Sequence, residues 1–266
     1  MVEIWQARGA GGSPRRVVLL LHGLLNDHRL WHAQQAALRP QADVLTPDFA
    51  EGTSMTALAQ AILAEAPERF AVAGFSMGGY VACEIARIAP DRVAGLCLLA
   101  STSLIDTPAQ RAARTATIAA VKRGSFEAVV NAVAQSAVWP DGAHARAAHA
   151  GLLAMARQVG PAKFAAHLQA VACRQGATDV LRALKCPITL ARGDHDQIIR
   201  QDGIAATGVA TGARITTIAG AGHMLPLEAP DRVSDLLQRW LDDIWQDRDP
   251  PDTQTTDSFV PDTRFR

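Results

Sequence analysis

Residues 70–79 read Phe-Ala-Val-Ala-Gly-Phe-Ser-Met-Gly-Gly. Their first half, residues 70–74, is a short apolar run typical of a strand buried inside a parallel sheet. The second half opens a stretch, residues 77–89, that we predict to be helical. A strand that passes into a helix through Gly-x-Ser-x-Gly is typical of a nucleophile elbow, which holds the serine hydroxyl at the sheet edge. Ser76 is therefore the candidate nucleophile.

Two glycines of this motif have a predicted structural role. The chain reverses direction within a few residues, so Ser76 is expected to adopt a strained backbone conformation. A Cβ atom at Gly74 or Gly78 would collide where the helix meets the strand. The amide of Met77, directly after the serine, is a candidate donor to an oxyanion that forms on a substrate.

Apolar runs and helical stretches alternate along the rest of the chain. We predict further strands at residues 17–23, 42–46, 93–100, 187–191 and 214–218. Predicted helices cover residues 54–65, 199–210 and 230–245. Strands that alternate with helices indicate right-handed crossovers and a mostly parallel sheet flanked by helices, so the predicted class is α/β.

The alternation is interrupted once, between residues 101 and 185, where helix signals recur without a strand pattern. Such an insertion predicts an all-helical cap over the strand ends, where open α/β sheets bind ligands. The expected division is a core of residues 1–102 and 179–246 and a cap of residues 103–178. The tail, residues 247–266, is rich in Asp, Pro and Thr and is expected to be disordered.

A serine hydroxyl needs a base to take its proton. His223 is the candidate, because it lies in a glycine-rich loop after the last predicted strand and therefore at the same sheet edge. A carboxylate that orients the imidazole is expected after the preceding strand, where Asp194 and Asp196 both occur. We favour Asp196 and interpret Asp194 as a turn residue.

The loop after the first buried strand reads His22-Gly23-Leu24-Leu25. Its Leu24 amide is the candidate second oxyanion donor. Gly23 and His22 are interpreted as supports of this loop, since their position places them on the oxyanion side and not beside the base. His28 and His32, farther along, are interpreted as ordinary polar residues.

Composition limits the classes of partner. The 266 residues contain 26 Lys and Arg against 26 Asp and Glu, and only 5% are aromatic. A neutral chain without a basic cluster predicts no nucleic-acid partner. The absence of about 18 consecutive apolar residues and of a secretory leader pattern predicts no membrane partner and a cytoplasmic location. The four cysteines form no metal-ligand spacing, so no metal site is predicted.

Four segments together carry a family likeness: LLLHGLLNDHRLW (19–31), GFSMGGYVACEIARIAPDRVAGLCLLAS (74–101), CPITLARGDHDQI (186–198) and AGAGHMLPLEAP (219–230). In this order they resemble the α/β-hydrolase superfamily, and most of all the small bacterial serine hydrolases with a helical cap. The likeness extends over about residues 15–245. It implies the α/β-hydrolase fold and a Ser-Asp-His order of catalytic residues.

The chain departs from the family pattern in two places. Few residues precede the first buried strand, so an early antiparallel strand is expected to be short or missing, with residues 2–7 as a candidate. The loop after Asp196 lacks the proline that the family often has. Some family members place the acid after an earlier strand, which makes Asp106 the alternative acid.

The expected activity is cofactor-independent hydrolysis of a carboxylic ester through an acyl-enzyme, with a small-molecule ester as the partner. The zero net charge favours small, largely uncharged substrates. A lactonase or a C–C bond hydrolase would use the same residues. A ligand receptor with a vestigial triad is the alternative from another class.

Overall fold

A six-stranded sheet forms the centre of the computed structural model, which describes residues 16–246. Its strands are β1 (Val17–Leu21), β2 (Asp43–Leu45), β3 (Phe70–Phe75), β4 (Val93–Leu99), β5 (Ile188–Gly193) and β6 (Arg214–Ile218). They lie in the order β2-β1-β3-β4-β5-β6, and every neighbouring pair is parallel. The predicted α/β class is therefore confirmed.

Helices cover both faces of this sheet. In chain order they are α1 (His32–Leu38), α2 (Met55–Glu65), α3 (Met77–Ile88), α4 (Pro108–Lys122), α5 (Phe126–Ala137), α6 (Ala145–Ala172), α7 (Thr178–Ala183), α8 (Gln201–Thr211), α9 (Leu225–Glu228) and α10 (Pro230–Gln246). Apolar residues of α2, α3 and α8 pack in one cluster, and those of α1 and α10 pack in another. Strands β1, β3 and β4 are buried along their whole length, which explains their continuous apolar runs.

Alternate residues of β1 show how one strand serves both faces. Val18 and Leu20 belong to the cluster with α10, whereas Leu19 and Leu21 belong to the cluster with α3. This separation follows from the alternation of side chains along a strand. The sheet edge at the carboxyl ends of β1 and β3 is thereby fixed between two packed layers.

The chain between Leu99 and Ile188 contains α4 to α7 and no strand; we call it the helical insert. Helix α4 begins with a capping box, in which Thr107 Oγ1 accepts from the Gln110 amide and Gln110 Oε1 accepts from the Thr107 amide. Helix α6 is kinked at Gly160, whose φ is 73°. Because the insert shares an apolar cluster with β1 and α10, its status as a separate cap domain stays a prediction.

A histidine of α6 joins the insert to the loop after β2. His167 Nε2 lies 2.9 Å from the carbonyl oxygen of Ala50, and its ring meets the Phe49 ring edge to face. The other side of Phe49 contacts His22, which follows β1. Burial lowers the pKa of both histidines, and that of His22 falls to about 4.

The predicted elements differ from the structure by one or two residues at several ends. Helix α8 begins at Gln201, later than predicted, because the amides of Ile198 and Ile199 bind the Asp196 carboxylate. The last helix, α10, begins at Pro230 as predicted, and the short helix α9 precedes it. The predicted early strand at residues 2–7 and the predicted disordered tail at 247–266 lie outside the described residues. Between residues 16 and 246, no helix is both long and apolar enough to span a bilayer.

The buried His22 predicts a pH dependence of stability. Its folded-state pKa of about 4 lies below the value of 6.5 expected for an unfolded histidine. The unfolded state therefore binds the proton first as the pH falls, and the free energy of unfolding decreases between pH 6.5 and pH 4. We expect His22 to contribute a loss of about 2 kcal/mol between pH 7 and pH 5.

Urea unfolding of the wild type, His22→Gln and His32→Gln at both pH values measures this loss. His32 is exposed, so His32→Gln should keep the wild-type pH dependence. In His22→Gln, the decrease in the free energy of unfolding between pH 7 and pH 5 should be smaller by about 2 kcal/mol. The part of this decrease that comes from His167 should remain. Equal pH dependence in His22→Gln and the wild type would show that His22 is not held neutral in the fold.

Candidate active site

Ser76 lies in the turn between β3 and α3, in a strained backbone conformation with φ 51° and ψ −114°. Two hydrogen bonds hold this turn against β4. The Ser76 amide donates to the carbonyl of Leu99 at 2.9 Å, and the Ser101 hydroxyl donates to the carbonyl of Ser76 at 2.9 Å. The predicted strain of the turn is thus present, and it places Ser76 at the carboxyl end of the sheet.

Gly74 and Gly78 allow the close approach that this turn needs. A Cβ atom on Gly74 would lie 2.4 Å from the carbonyl oxygen of Gly78. A Cβ atom on Gly78 would lie 2.2 Å from the carbonyl oxygen of Leu21 in β1. Both contacts are with backbone atoms that cannot rotate away, so any side chain would force α3 away from the sheet.

His223 lies in the loop between β6 and α9 and reaches both of its predicted partners. The Ser76 hydroxyl donates to His223 Nε2 at 3.0 Å. On the other side of the ring, Nδ1 lies 3.0 and 3.1 Å from the two carboxylate oxygens of Asp196. The structure thus brings Ser76, His223 and Asp196 into one continuous hydrogen-bonded chain.

Asp196 is buried and held by backbone donors. Its Oδ1 atom accepts from the amides of Ile198 at 2.8 Å and Ile199 at 2.9 Å. Burial opposes ionisation of this carboxyl, but the charge and hydrogen bond of His223 and the two amides outweigh burial and lower its pKa. The carboxylate is therefore ionised and fixed in direction at neutral pH.

The two alternative acids lie elsewhere. Asp194 Oδ1 accepts from the backbone amide of Ala221 at 3.2 Å, which agrees with its interpretation as a turn residue. Asp106 is paired with Arg114 and Arg174. Neither carboxylate hydrogen-bonds to His223, so the geometry favours Asp196.

The loop with the candidate oxyanion donors adjoins the nucleophile. Leu24 and Met77 both line the cavity that opens at Ser76, and the Leu24 amide has no acceptor within residues 16–246. Met77 is the first residue of α3, where amides lack partners inside the helix. The loop packs closely against Phe75 at Gly23, where a Cβ atom would lie 2.8 Å from the Phe75 ring. The two residues that carry the predicted donors therefore border the same cavity as Ser76.

His22 supports this loop from behind. Its Nδ1–H donates to the carbonyl of Gly23 at 2.9 Å, and its Nε2 accepts from the amide of Phe49 at 3.3 Å. Both ring nitrogens are thus occupied by backbone groups. His28 is half exposed and pairs with Asp48 at 2.8 Å, away from the cavity.

Glu228 is a site residue that the sequence reasoning missed. Its Oε1 atom accepts from the amide of Gly222, next to His223, at 3.0 Å and from the amide of Trp139 in the helical insert at 2.8 Å. The His223 amide in turn donates to the carbonyl of Ala137 at 2.8 Å. These bonds join the histidine loop to the end of α5. The only signal in the sequence is a glutamate soon after His223.

Asn26 and two arginines were also missed. Asn26 lines the cavity, is buried, and has no partner for either amide atom within the described residues. Arg114 and Arg174, from the helical insert, line the cavity with Asp106. No local pattern marks these residues, because their placement depends on how the insert folds back over the sheet.

The cavity over Ser76 has a volume of about 500 Å³, within the usual size range of small-molecule sites. Its walls combine apolar side chains from the core and the insert, among them Leu25, Phe75, Val133, Leu152 and Val171. Within residues 16–246, no group of three His, Cys, Asp or Glu side chains is arranged to bind a metal ion. The site thus places a serine, an imidazole and a carboxylate beside a cavity whose walls are mostly apolar.

Part of this chain is similar in sequence to known proteins. A pimeloyl-[acyl-carrier protein] methyl ester esterase of Pectobacterium carotovorum is 36% identical over 106 residues, which are 37% of this chain and 40% of that protein. The enzyme of the same description from Aliivibrio salmonicida is 33% identical, with 37% of this chain and 39% of that protein covered. The match thus spans about two fifths of these curated relatives.

Solved structures share the fold over most of the chain. A thermophilic esterase from Thermogutta terrifontis, with malate bound, has a TM-score of 0.79 and 27% identity, covering 86% of this chain and 90% of that one. An enol-lactonase from Burkholderia xenovorans LB400 has a TM-score of 0.77 and 20% identity, covering 86% and 92%. The second likeness concerns the fold alone.

The model of the alpha/beta hydrolase family matches residues 18–236, from the first strand to the last helix. This range contains the strained serine turn, the histidine loop and the buried aspartate. The chain therefore belongs to the alpha/beta hydrolase family.

Proposed function

We propose that this protein is a serine hydrolase that cleaves carboxylic esters of small molecules through an acyl-enzyme. The observation that carries the proposal is the hydrogen-bonded chain from Ser76 Oγ through His223 to Asp196. Ser76, at one end of these hydrogen bonds, lines a cavity of about 500 Å³. The Thermogutta terrifontis esterase, aligned over 90% of its length, and the pimeloyl-[acyl-carrier protein] methyl ester esterases, aligned over about two fifths of theirs, support ester cleavage as the reaction.

In the first half of the proposed reaction, His223 Nε2 takes the proton of Ser76 as Oγ attacks the ester carbonyl carbon. The oxygen of the tetrahedral intermediate would accept hydrogen bonds from the amides of Leu24 and Met77. His223 then gives its proton to the leaving alcohol, and the C–O bond of the ester breaks. Ser76 is left acylated.

Water completes the cycle. His223 takes a proton from a water molecule, whose oxygen attacks the acyl carbon, and the proton returns to Ser76 as the carboxylic acid leaves. Asp196 accepts the Nδ1–H of His223 throughout and stabilises the imidazolium that forms twice. The proposed steps use only groups of the chain and water.

We propose that the helical insert, with residues 103–178 as predicted, acts as a cap over this reaction. Residues of α4, α5 and α6 line one side of the cavity, and the Ala137 carbonyl holds the His223 amide. A cavity of about 500 Å³ favours small substrates over polymers. The zero net charge of the whole chain favoured uncharged substrates. The charged residues that line the cavity lie closer to a bound substrate and are therefore a more direct guide to its charge.

The role of Ser76 is tested by Ser76→Ala, with Ser136→Ala as the control. Ser136 is exposed on α5 and hydrogen-bonds only to its own helix. We expect Ser76→Ala to lower kcat for a short p-nitrophenyl ester by about 10⁴-fold or more, because the nucleophile is lost. Ser136→Ala should keep wild-type turnover.

A fluorophosphonate probe adds a readout that does not depend on the substrate chosen. It should label the wild type and fail to label Ser76→Ala. Near wild-type turnover in Ser76→Ala would contradict the proposed mechanism. An unlabelled and inactive wild type would instead support a receptor with a vestigial triad.

The choice between the two aspartates is tested by Asp196→Asn and Asp194→Asn. Asparagine has an NH₂ group in place of one carboxylate oxygen, so Asp196→Asn no longer fixes the Nδ1–H tautomer of His223. We therefore expect kcat to fall by about 10²- to 10⁴-fold. Asp194→Asn should change kcat by less than about tenfold, since Asp194 binds a backbone amide of the neighbouring loop. A larger effect from Asp194→Asn would assign the acid to Asp194.

A further inference from the structure

The cavity contains a cluster of three charged residues, Asp106, Arg114 and Arg174, which we call the arginine cluster. Arg114 binds Asp106 through Nε and Nη2, the second contact at 3.2 Å. Arg174 Nη2 lies 2.8 Å from Asp106 Oδ1. Two guanidinium groups thus share one carboxylate, which leaves one positive charge in excess.

Neighbouring charges do not cancel this excess. Arg200 and Asp202, at the cavity edge, pair with each other at 3.4 Å. Behind the cluster, Glu84 pairs with Arg87 at 3.0 Å. Each of these pairs is neutral as a whole, so the wall formed by the arginine cluster remains positive.

Arg174 is rigidly placed. Its guanidinium donates to the carbonyls of Val171 at 2.9 Å and Leu104 at 3.1 Å, and it lies 4.1 Å from the centre of the Tyr80 ring. Its side chain is only 5% exposed, yet Nε–H has no acceptor within residues 16–246. Arg174 therefore contributes a fixed positive charge to the cavity wall, close to its surface but largely covered.

Arg114 has donors to spare on the open side of the cluster. Its side chain is 26% exposed, and its Nη1 atom has no partner among the described residues. The Tyr80 hydroxyl, on the same cavity wall, likewise has none there. A planar carboxylate matches such a set, because guanidinium N–H groups bind it in pairs.

The cluster is close to the nucleophile. Tyr80 follows Ser76 by four residues at the start of α3, which is about one helical turn, or ~6 Å along the axis. Both residues line the same cavity. A ligand group bound at the cluster and a carbonyl group at Ser76 would therefore lie in the same cavity of about 500 Å³.

We propose that the arginine cluster binds a free carboxylate of the substrate, so that the preferred ester is the monoester of a short dicarboxylic acid. This inference rests on the proposed ester hydrolysis and names its substrate class. It replaces the expectation of an uncharged substrate, which depended on the net charge of the whole chain. The apolar walls between Ser76 and the cluster would hold the methylene chain.

Binding to Ser76→Ala, which cannot cleave the ester, tests this proposal by calorimetry at pH 7.5. The probes are monomethyl glutarate and dimethyl glutarate, which differ in one negative charge. We expect the monoester to bind about 10- to 100-fold more tightly, as befits a charged hydrogen-bonded pair. In Ser76→Ala with Arg114→Gln, this preference should fall towards one.

Arg111→Gln in the same background is the matched control. Arg111 lies one turn before Arg114 on α4, is exposed, and does not line the cavity. Removing its charge should leave the preference unchanged. If the preference falls equally in both variants, it depends on the general charge of the helix and not on the arginine cluster, and the proposal is overturned.

The remaining outcomes also decide. Equal binding of the two esters, or no binding of either, would contradict a carboxylate site. Inorganic phosphate that binds more tightly than the monoester, and loses affinity in Arg114→Gln, would assign the cluster to a phosphate and overturn the proposal.

Activity assays separate this proposal from the proposed function. If the wild type cleaves p-nitrophenyl esters through Ser76 but shows no preference for the glutarate monoester, only the carboxylate site fails. If the wild type cleaves no ester at all, the proposed function fails, whereas the calorimetric result still decides the carboxylate site.

Discussion

The close approach of α3 to the ends of β1 and β3 is the constraint on which the site depends. Gly78 meets the carbonyl of Leu21, and Gly74 meets the carbonyl of Gly78, so no side chain fits at either place. Ser76, between them, is held with a positive φ by hydrogen bonds to Leu99 and Ser101. Strain of this kind persists only when surrounding contacts over-determine it. It fixes the hydroxyl at the sheet edge and leaves the first amides of α3 open.

Parallel topology brings the remaining groups to the same edge. The loops after β1, β3, β5 and β6 carry His22 to Leu24, Ser76, Asp196 and His223, and all four strands run in the same direction. The helical insert then supplies the other wall of the cavity. Hydrogen bonds through Ala137 and Glu228 join this insert to the loop that carries His223. The position of the insert is thus tied to the orientation of the imidazole.

Local patterns explain which features could be predicted from the sequence. The strand runs, the Gly-x-Ser-x-Gly turn and the glycine-rich loop around His223 each occupy a few consecutive residues, so apolar periodicity and glycine spacing reveal them. The arginine cluster could not be found in this way. Asp106 and Arg174 meet only because α4 and α6 fold back together, and no spacing in the chain reflects that contact. Net charge does not report the charges that line the cavity, because it averages over the whole surface of the chain.

Ser76 as an acylated nucleophile is the claim that joins these features, and peptide mass mapping after rapid quenching tests it most directly. The protein would be mixed with p-nitrophenyl butyrate and quenched in acid during the first turnover. A butyryl group on the peptide that contains Ser76, formed as fast as the first equivalent of p-nitrophenol is released, is the predicted result. Steady turnover without an adduct, or with the adduct on another residue, would contradict it.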